Sequence, residues 1–115
     1  MDVKRTLKLH KELNEKALKI RKKKSHDYAN TKDALANFKV RSAIHSVFKE
    51  YGLEIPMDTP KGIALDAVLL KIARLLNLWA SNKEPMNESE EDTFIDLLNY
   101  VHILYQCRIE ELESD

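Results

Sequence analysis

The sequence has few of the residues that break regular structure or cross-link a chain. Its 115 residues include two Gly, three Pro and one Cys. So few Gly and Pro residues disfavour a turn-rich β architecture and favour long helices. A lone Cys excludes an intramolecular disulfide and the paired-Cys motifs of structural zinc sites. We therefore expect a helical protein in a reducing compartment, with Cys107 packed as an apolar side chain.

Long apolar runs are also lacking. No run approaches the roughly 18 residues that a membrane-spanning helix needs, and residues 1–5 do not have the apolar stretch of a signal peptide. We therefore expect a cytoplasmic protein with no membrane partner. The hydrophobic and charged fractions, 43% and 33%, disfavour disorder, and the length suits one domain spanning residues 1–115.

Charge of either sign is balanced in total but separated along the chain. Residues 1–24 carry ten Lys or Arg against three Asp or Glu, whereas residues 84–115 carry ten Asp or Glu against one Arg. These ends form two solvated helix faces or pair within the fold or between subunits. A nucleic-acid patch would use Lys22, Lys23 and Lys24, but it would lack the aromatic platform of single-strand binders, so nucleic acid is the less favoured partner.

The spacing of apolar residues predicts helices from the first residues onward. The first helix runs from about Val3 to Lys24. A polar segment, 25–30, follows it and is typical of a loop. Thr31 is placed to cap a second helix, which Gly52 ends.

Two further helices have clear start signals. Thr59 is an expected N-cap with Pro60 at the first helical position, and this third helix ends at about Ser81. Ser89 and Asp92 have the spacing of a capping box at the start of the fourth. The sequence therefore predicts an all-α fold, an antiparallel bundle of about four helices.

The third helix is apolar on nearly every side. Its apolar residues are Ile63, Leu65, Val68, Leu69, Leu70, Ile72, Leu75, Leu76, Leu78 and Trp79. A helix of this kind is the buried centre of a bundle or part of a subunit interface. Because a 115-residue bundle has limited capacity to cover it, we expect a homo-oligomer, most simply a dimer.

A polar stripe at the start of the fourth helix suits a metal ion. Asp92, Asp96 and Asn99 are four and three residues apart, so they project from one helix face. Two carboxylates and an amide suit magnesium, which prefers oxygen ligands. In the alternative interpretation Asp92 caps the helix and Asp96 pairs with a buried base.

Two basic residues interrupt the apolar third helix. Lys71 and Arg74 need anionic partners, because buried charges are rarely unpaired, and the nearest in sequence are Asp92 and Asp96. The patch is either a salt-bridge network that fixes helix register or a site where carboxylates hold a metal and Lys71 or Arg74 holds a phosphate.

The polar break after the first helix supplies further candidates. As a loop it could close over a ligand, with Asp27 as a third metal ligand and catalytic group and His26 as a catalytic hydrogen-bond donor. Tyr28 and, in the second helix, Asn37 are candidates for substrate binding, as is Asn99. A His in such a position is also often a capping or surface residue.

Five blocks of the sequence carry a further pattern: Lys24 to Tyr28, Asn37-Phe38, Lys71 to Leu78, Glu88 to Thr93 and Asp96 to Tyr100. Together they resemble the nucleotide-modification-associated domain family of bacteriophages, and the resemblance covers about 24–105. Its specific part is Lys71 to Leu78 followed, at short separation, by Glu88 to Thr93 with Asp96 to Tyr100.

That family is placed near the all-α nucleoside triphosphate pyrophosphatases, the MazG-like and dimeric dUTPase-like enzymes. Those enzymes bind magnesium with carboxylates on two antiparallel helices and split a nucleotide between its α and β phosphates. The resemblance implies a MazG-like bundle, nucleotide handling in the host cytoplasm, magnesium on Asp92, Asp96 and Asp27, and phosphate on Lys71 or Arg74.

The chain departs from these enzymes at their acidic motifs. They carry Glu-x-x-Glu and Glu-x-x-Asp on consecutive helices, whereas here Asp92 and Asp96 share one helix and Leu70 stands where many members of the phage family have Asp. Leu70 favours a non-catalytic phage protein that binds a nucleotide, nucleic acid or host protein. The Asp pair and the Lys-x-x-Arg spacing favour a magnesium-dependent pyrophosphohydrolase.

Overall fold

The computed structural model describes residues 1–28 and 33–114, and of Tyr28 only the backbone. This part of the chain forms four helices and has no strand. They are α1 (Val3–Tyr28), α2 (Ala36–Glu50), α3 (Pro60–Ala80) and α4 (Glu90–Glu113). The predicted all-α bundle of about four helices is confirmed.

The predicted starts of α3 and α4 are confirmed by their hydrogen bonds. Thr59 Oγ1 accepts from Gly62 N at 3.1 Å, and Pro60 follows it at the first helical position. At α4, Ser89 Oγ accepts from Asp92 N at 3.0 Å while Asp92 Oδ2 accepts from Ser89 N at 3.3 Å. The side-chain caps therefore fix where both helices begin.

Helix α1 runs further than the sequence predicted. It includes residues 25–28, so the prediction that these residues form a loop is wrong. Asn77 Nδ2 donates to Asp27 O at 2.9 Å, and Lys83 Nζ donates to His26 O at 3.4 Å. These bonds from α3 and the turn after it satisfy carbonyls that a helix end leaves without partners, so the helix continues.

The start of α2 also differs from the prediction. The helix begins at Ala36, with Leu35 at the N-cap position and no side-chain cap. Thr31, the predicted cap, lies outside the described residues. The predicted end is confirmed, because Gly52 follows the helix with φ of +71°.

Helix α3 is the centre of the packing, since each of the other helices contacts it. Lys61 pairs with Glu111 at one end of α3 and Trp79 contacts Phe94 at the other, so α3 and α4 are antiparallel. The described residues leave part of α3 exposed, so its burial in a subunit interface stays a prediction. Its Ile63, like Trp79, is more than half exposed.

The core of the described residues is small. Only three apolar side chains are buried in it, those of Ala64, Leu75 and Leu78, all on α3. No helix in the described part is long and apolar enough to cross a membrane.

Candidate functional site

A buried guanidinium lies where α1, α3 and the start of α4 meet. Arg74 has no exposed surface. Its Nη2 donates to Asp27 Oδ2 at 2.6 Å and to Glu88 O at 2.5 Å, and its Nη1 donates to Thr93 Oγ1. Its Nε lies 3.5 Å from Glu88 Oε1. Arg74 therefore joins three separate segments of the chain.

Asp27, in the last turn of α1, is the anionic partner of Arg74. It is fully buried, and its Oδ1 accepts from Met86 N at 2.8 Å while its Oδ2 also accepts from Asn87 N at 3.0 Å. Burial alone would raise the pKa of Asp27, but the hydrogen bonds from Met86, Arg74 and Asn87 and the charge of Arg74 together hold its pKa below the usual value. Through these hydrogen bonds, both oxygens of this carboxylate hold α1 against the turn before α4.

Lys71 lies one helical turn before Arg74. Its Nζ is 3.0 Å from Glu88 Oε1 and 3.1 Å from Asp96 Oδ2. The ion pair predicted from closeness in sequence is therefore present for Lys71 and Asp96. Arg74 instead forms ion pairs with Asp27 and Glu88. Glu88 was not among the predicted site residues, although it lies in the turn directly before α4.

The carboxylates predicted to hold magnesium have other roles in this arrangement. Asp92 completes the capping box, and Asp96 pairs with Lys71. Asp27 accepts three hydrogen bonds, one of them from Arg74. Within residues 1–28 and 33–114, no group of three or more His, Cys, Asp or Glu side chains is placed to hold a metal ion. The three carboxylates do not fit a shared magnesium cage as they lie, and magnesium binding stays a prediction.

The candidate ligand site is a cleft of about 770 Å³ between α1, the start of α2, and α3 and α4. This volume falls within the range of about 300–1,000 Å³ that is usual for small-molecule sites. Its lining residues are Ala17, Ile20, Arg21, Lys24, Ser25, Ala34, Leu35, Asn37, Phe38, Leu70, Lys71 and Tyr100.

The polar lining of the cleft is positive. Arg21 and Lys24 line it from exposed positions on α1, and Lys71 lines it from a buried position on α3. The described lining includes no carboxylate. Two aromatic side chains, Phe38 and Tyr100, lie in the same cleft. The lining therefore combines cations with ring surfaces.

The amide of Asn37 has a fixed orientation in this lining. The residue is buried at 7% exposure, and its Oδ1 accepts from Arg41 Nη1 at 3.1 Å. The guanidinium of Arg41 also lies over the ring of Phe38, 5.0 Å from its centroid. Arg41 therefore positions two neighbouring lining residues from the next turn of α2.

The structure brings two of the predicted site residues into the cleft, Lys71 and Asn37. The backbone carbonyls of His26 and Asp27 accept hydrogen bonds from Asn77 Nδ2, and the ring Nε2 of His26 lies 2.7 Å from Glu84 O. Asn99 is exposed on α4 and is not in the lining. The side chain of Tyr28 lies outside the described part of the structure.

Sequence reasoning missed several residues of the cleft. Arg21 was counted only as part of a basic segment, and Lys24 was not among the predicted site residues, yet they lie three apart on the side of α1 that also carries Ala17 and Ile20. Basic residues on the apolar side of an amphipathic helix were the signal that could have found them.

No protein-family model matches the sequence, and neither a curated protein nor a solved structure matches the chain. Membership of the phage nucleotide-modification-associated family therefore stays a prediction from the sequence blocks.

Proposed function

We propose that the protein binds a nucleotide in the cleft between α1, α2, α3 and α4. The observation that carries the proposal is a lining with two exposed cationic side chains, Arg21 and Lys24, and two aromatic rings. Arg and Lys bind phosphate through charge-assisted hydrogen bonds, and a base offers a flat surface to the rings.

Each part of the cleft suits one part of a nucleotide. The exposed Arg21 and Lys24 suit the phosphates, and Lys71, whose charge is shared with Glu88 and Asp96, adds to them. Phe38 is exposed in the cleft, so its ring, which Arg41 contacts, can also stack against a base. The amide of Asn37 can hydrogen-bond the edge of a base.

Hydrolysis is the activity that the family resemblance implies, and magnesium would enter with the nucleotide as its complex. The carboxylates predicted to hold the metal, Asp92 and Asp96, are not among the described lining residues. Nucleotide binding is therefore the function that the geometry supports best. Hydrolysis of the bound nucleotide is a separate activity, which needs its own measurement.

We also propose that the protein works as a homo-oligomer, of which a dimer is the simplest form. The accessible surface of one chain is 8924 Å². A compact monomer of 13.4 kDa is expected to have about 6,500 Å². The larger surface supports association of the chain with copies of itself.

Calorimetric titration with a panel of nucleoside triphosphates, with and without magnesium, tests the binding. The double variant Arg21→Glu/Lys24→Glu should weaken binding about tenfold or more, because each lost charge-assisted hydrogen bond is worth about 1.5–3 kcal/mol. The matched control is Lys19→Glu/Lys22→Glu, which makes the same charge change at the same spacing on α1, outside the cleft lining.

Equal weakening by both double variants would mean that only the overall charge of α1 attracts the ligand, and the cleft proposal would fail. Phe38→Ala should weaken binding by roughly tenfold if a base stacks on the ring. Chromatography of the nucleotides after incubation with magnesium measures hydrolysis separately from binding.

A further inference from the structure

Helix α4 carries an apolar stripe that this chain does not cover. Phe94, Leu98, Val101 and Tyr105 are spaced four, three and four residues apart, and each is between 46% and 64% exposed. This spacing places them on one side of the helix, as in the seam of helices that pack against each other. The stripe lies to one side of Tyr100, which faces the ligand cleft.

Helix α3 continues this surface. Ile72, Leu76 and Trp79 are spaced four and three residues apart and are also exposed. The rings of Trp79 and Phe94 lie 6.1 Å apart between centroids, so the two stripes meet. We call the surface formed by these two stripes the α3–α4 face.

The position of Trp79 on this face is fixed by a polar contact. Its Nε1 donates to Glu90 Oε1 at 2.9 Å, in the first turn of α4. The indole ring is therefore half-exposed but held in place. Trp79 and Phe94 thus place two aromatic rings at one end of the face, and large, oriented aromatic side chains are typical of protein interfaces.

The dimensions of the chain indicate how large the uncovered surface is. Its accessible area, 8924 Å², exceeds that of a compact monomer of its mass by about 2,400 Å². Its radius of gyration, 17.9 Å, exceeds the value of about 13 Å expected for a domain of this length. Helix α1, exposed along residues 3–24, contributes to this excess together with the α3–α4 face.

We propose that the α3–α4 face is where a second copy of this chain docks, using the same face, so that two α3–α4 pairs form a four-helix core. An obligate homodimer buries about 2,000–5,000 Å² in total, or half of that on each subunit. The α3–α4 face supplies part of the excess surface of this chain, and α1 supplies the rest. Two adjacent helices with seam spacing are self-complementary under a two-fold axis, which is the commonest symmetry of homo-oligomers.

This inference specifies the surface for the self-association proposed above and rests on it, but it does not depend on the nucleotide cleft. Lys71 and Tyr100 belong to the cleft, and none of the face residues is in the described cleft lining. A second copy would cover apolar side chains that lie exposed on one chain, and so extend a core in which the described residues bury three apolar side chains.

The first experiment measures molecular mass by light scattering at micromolar concentration. The unmodified chain should have twice its own mass of 13.4 kDa. Leu76→Glu and Leu98→Glu each place a charge in the proposed core and should weaken association about 100-fold or more. Ile63→Glu is the matched control, because Ile63 is equally exposed on α3 but lies about 140° around the helix from Leu76.

The second experiment does not require a variant that disrupts the core. In a Cys107→Ser background, single Cys substitutions at Leu98, Val101 and Tyr105 test whether the face meets its own copy. Under a two-fold axis at least one of them should form an intermolecular disulfide on oxidation, whereas Ile63→Cys should not.

The outcomes separate the two proposals. A chain that is monomeric at all concentrations overturns both self-association and the docking face. A dimer that Leu76→Glu and Leu98→Glu leave intact, and that none of the three face cysteines cross-links, overturns the face while self-association stands. Disruption by the two face variants, with Ile63→Glu still dimeric and a disulfide at the face, supports the proposal.

Discussion

Asp27 in the last turn of α1 and Arg74 in the middle of α3 form an ion pair of 2.6 Å between Oδ2 and Nη2, although 47 residues separate them. Neither side chain has any exposed surface. Because Asp27 also accepts from Met86 N and Asn87 N, the pair holds together α1, α3 and the turn before α4. The same helices line the ligand cleft, so the shape of the cleft depends on this ion pair.

Arg74→Ala should destabilise the protein strongly. Removing one partner of a buried ion pair costs about 3–5 kcal/mol, because the remaining carboxylate of Asp27 stays buried without its counter-charge. Arg108→Ala is the control, since the same substitution removes an exposed pair with Glu111 and should change stability little. Urea unfolding followed by circular dichroism measures the stability of both variants. Equal unfolding midpoints would contradict the buried Asp27–Arg74 ion pair.

Asp27 should make stability fall in acid. Its pKa is lower in the folded chain than in the unfolded chain, so its contribution is complete above the unfolded value of about 3.9 and is lost as the pH falls through the folded value. Thermal melts between about pH 6 and pH 2 should therefore show a smaller pH dependence for Asp27→Asn than for the unmodified chain.

The Asn variant should also be less stable at neutral pH, where the ionised pair is intact. Asp58→Asn, at an exposed position, controls for the substitution itself. An Asp27→Asn variant with the same pH dependence as the unmodified chain would show that other carboxyl groups govern the loss of stability in acid.

Much of the fold could be predicted because its signals are local. Thr59 with Pro60, and Ser89 with Asp92, fix the starts of α3 and α4 through side-chain bonds within one turn. The end of α1 could not be predicted in this way. Its last carbonyls are satisfied by Asn77, about 50 residues later, so a tertiary contact overrides the local preference of the segment for a loop.

The site was harder to predict for the same reason. Closeness in sequence identified Asp96 as a partner of Lys71, but the buried partner of Arg74, Asp27, lies on α1. Thr93, fully buried against Arg74, carries no pattern that separates it from a surface Thr. The cleft gathers side chains from four helices, and helical periodicity says which residues share a face but not which faces meet.

Gly62→Ala should cost more stability than Gly52→Ala. A Cβ at Gly62 would lie 2.2 Å from Pro56 O and 2.9 Å from Met57 Cα, so the backbone of the loop before α3 must move. We expect a loss of about 2–3 kcal/mol from this overlap, even though Ala favours a helix. At Gly52 there is open space, and the φ of +71° alone should cost about 1 kcal/mol.

Urea unfolding of the two Gly variants measures the difference. A Gly62→Ala variant as stable as the unmodified chain would mean that the loop at Pro56 and Met57 can shift away from α3 without loss. The cleft does not include Gly62, so nucleotide binding should be retained in the folded Gly62→Ala protein.

Asp96→Asn tests what the carboxylate beside the cleft does. Asp96 Oδ2 lies 3.1 Å from Lys71 Nζ, and its side chain is 41% exposed. Because Lys71 keeps Glu88 at 3.0 Å, and because the pair is partly screened by water, the variant should lose about 1 kcal/mol or less of stability. Without Asp96, more of the Lys71 charge is available to a phosphate, so nucleotide affinity measured by calorimetry in EDTA should rise a few-fold.

Glu110→Gln, which removes a carboxylate from an exposed position on α4, should leave affinity unchanged. If affinity of the Asp96→Asn variant instead falls, and falls only when magnesium is present, Asp96 is a metal ligand, as the spacing of Asp92 and Asp96 predicts, and its role is not limited to balancing Lys71.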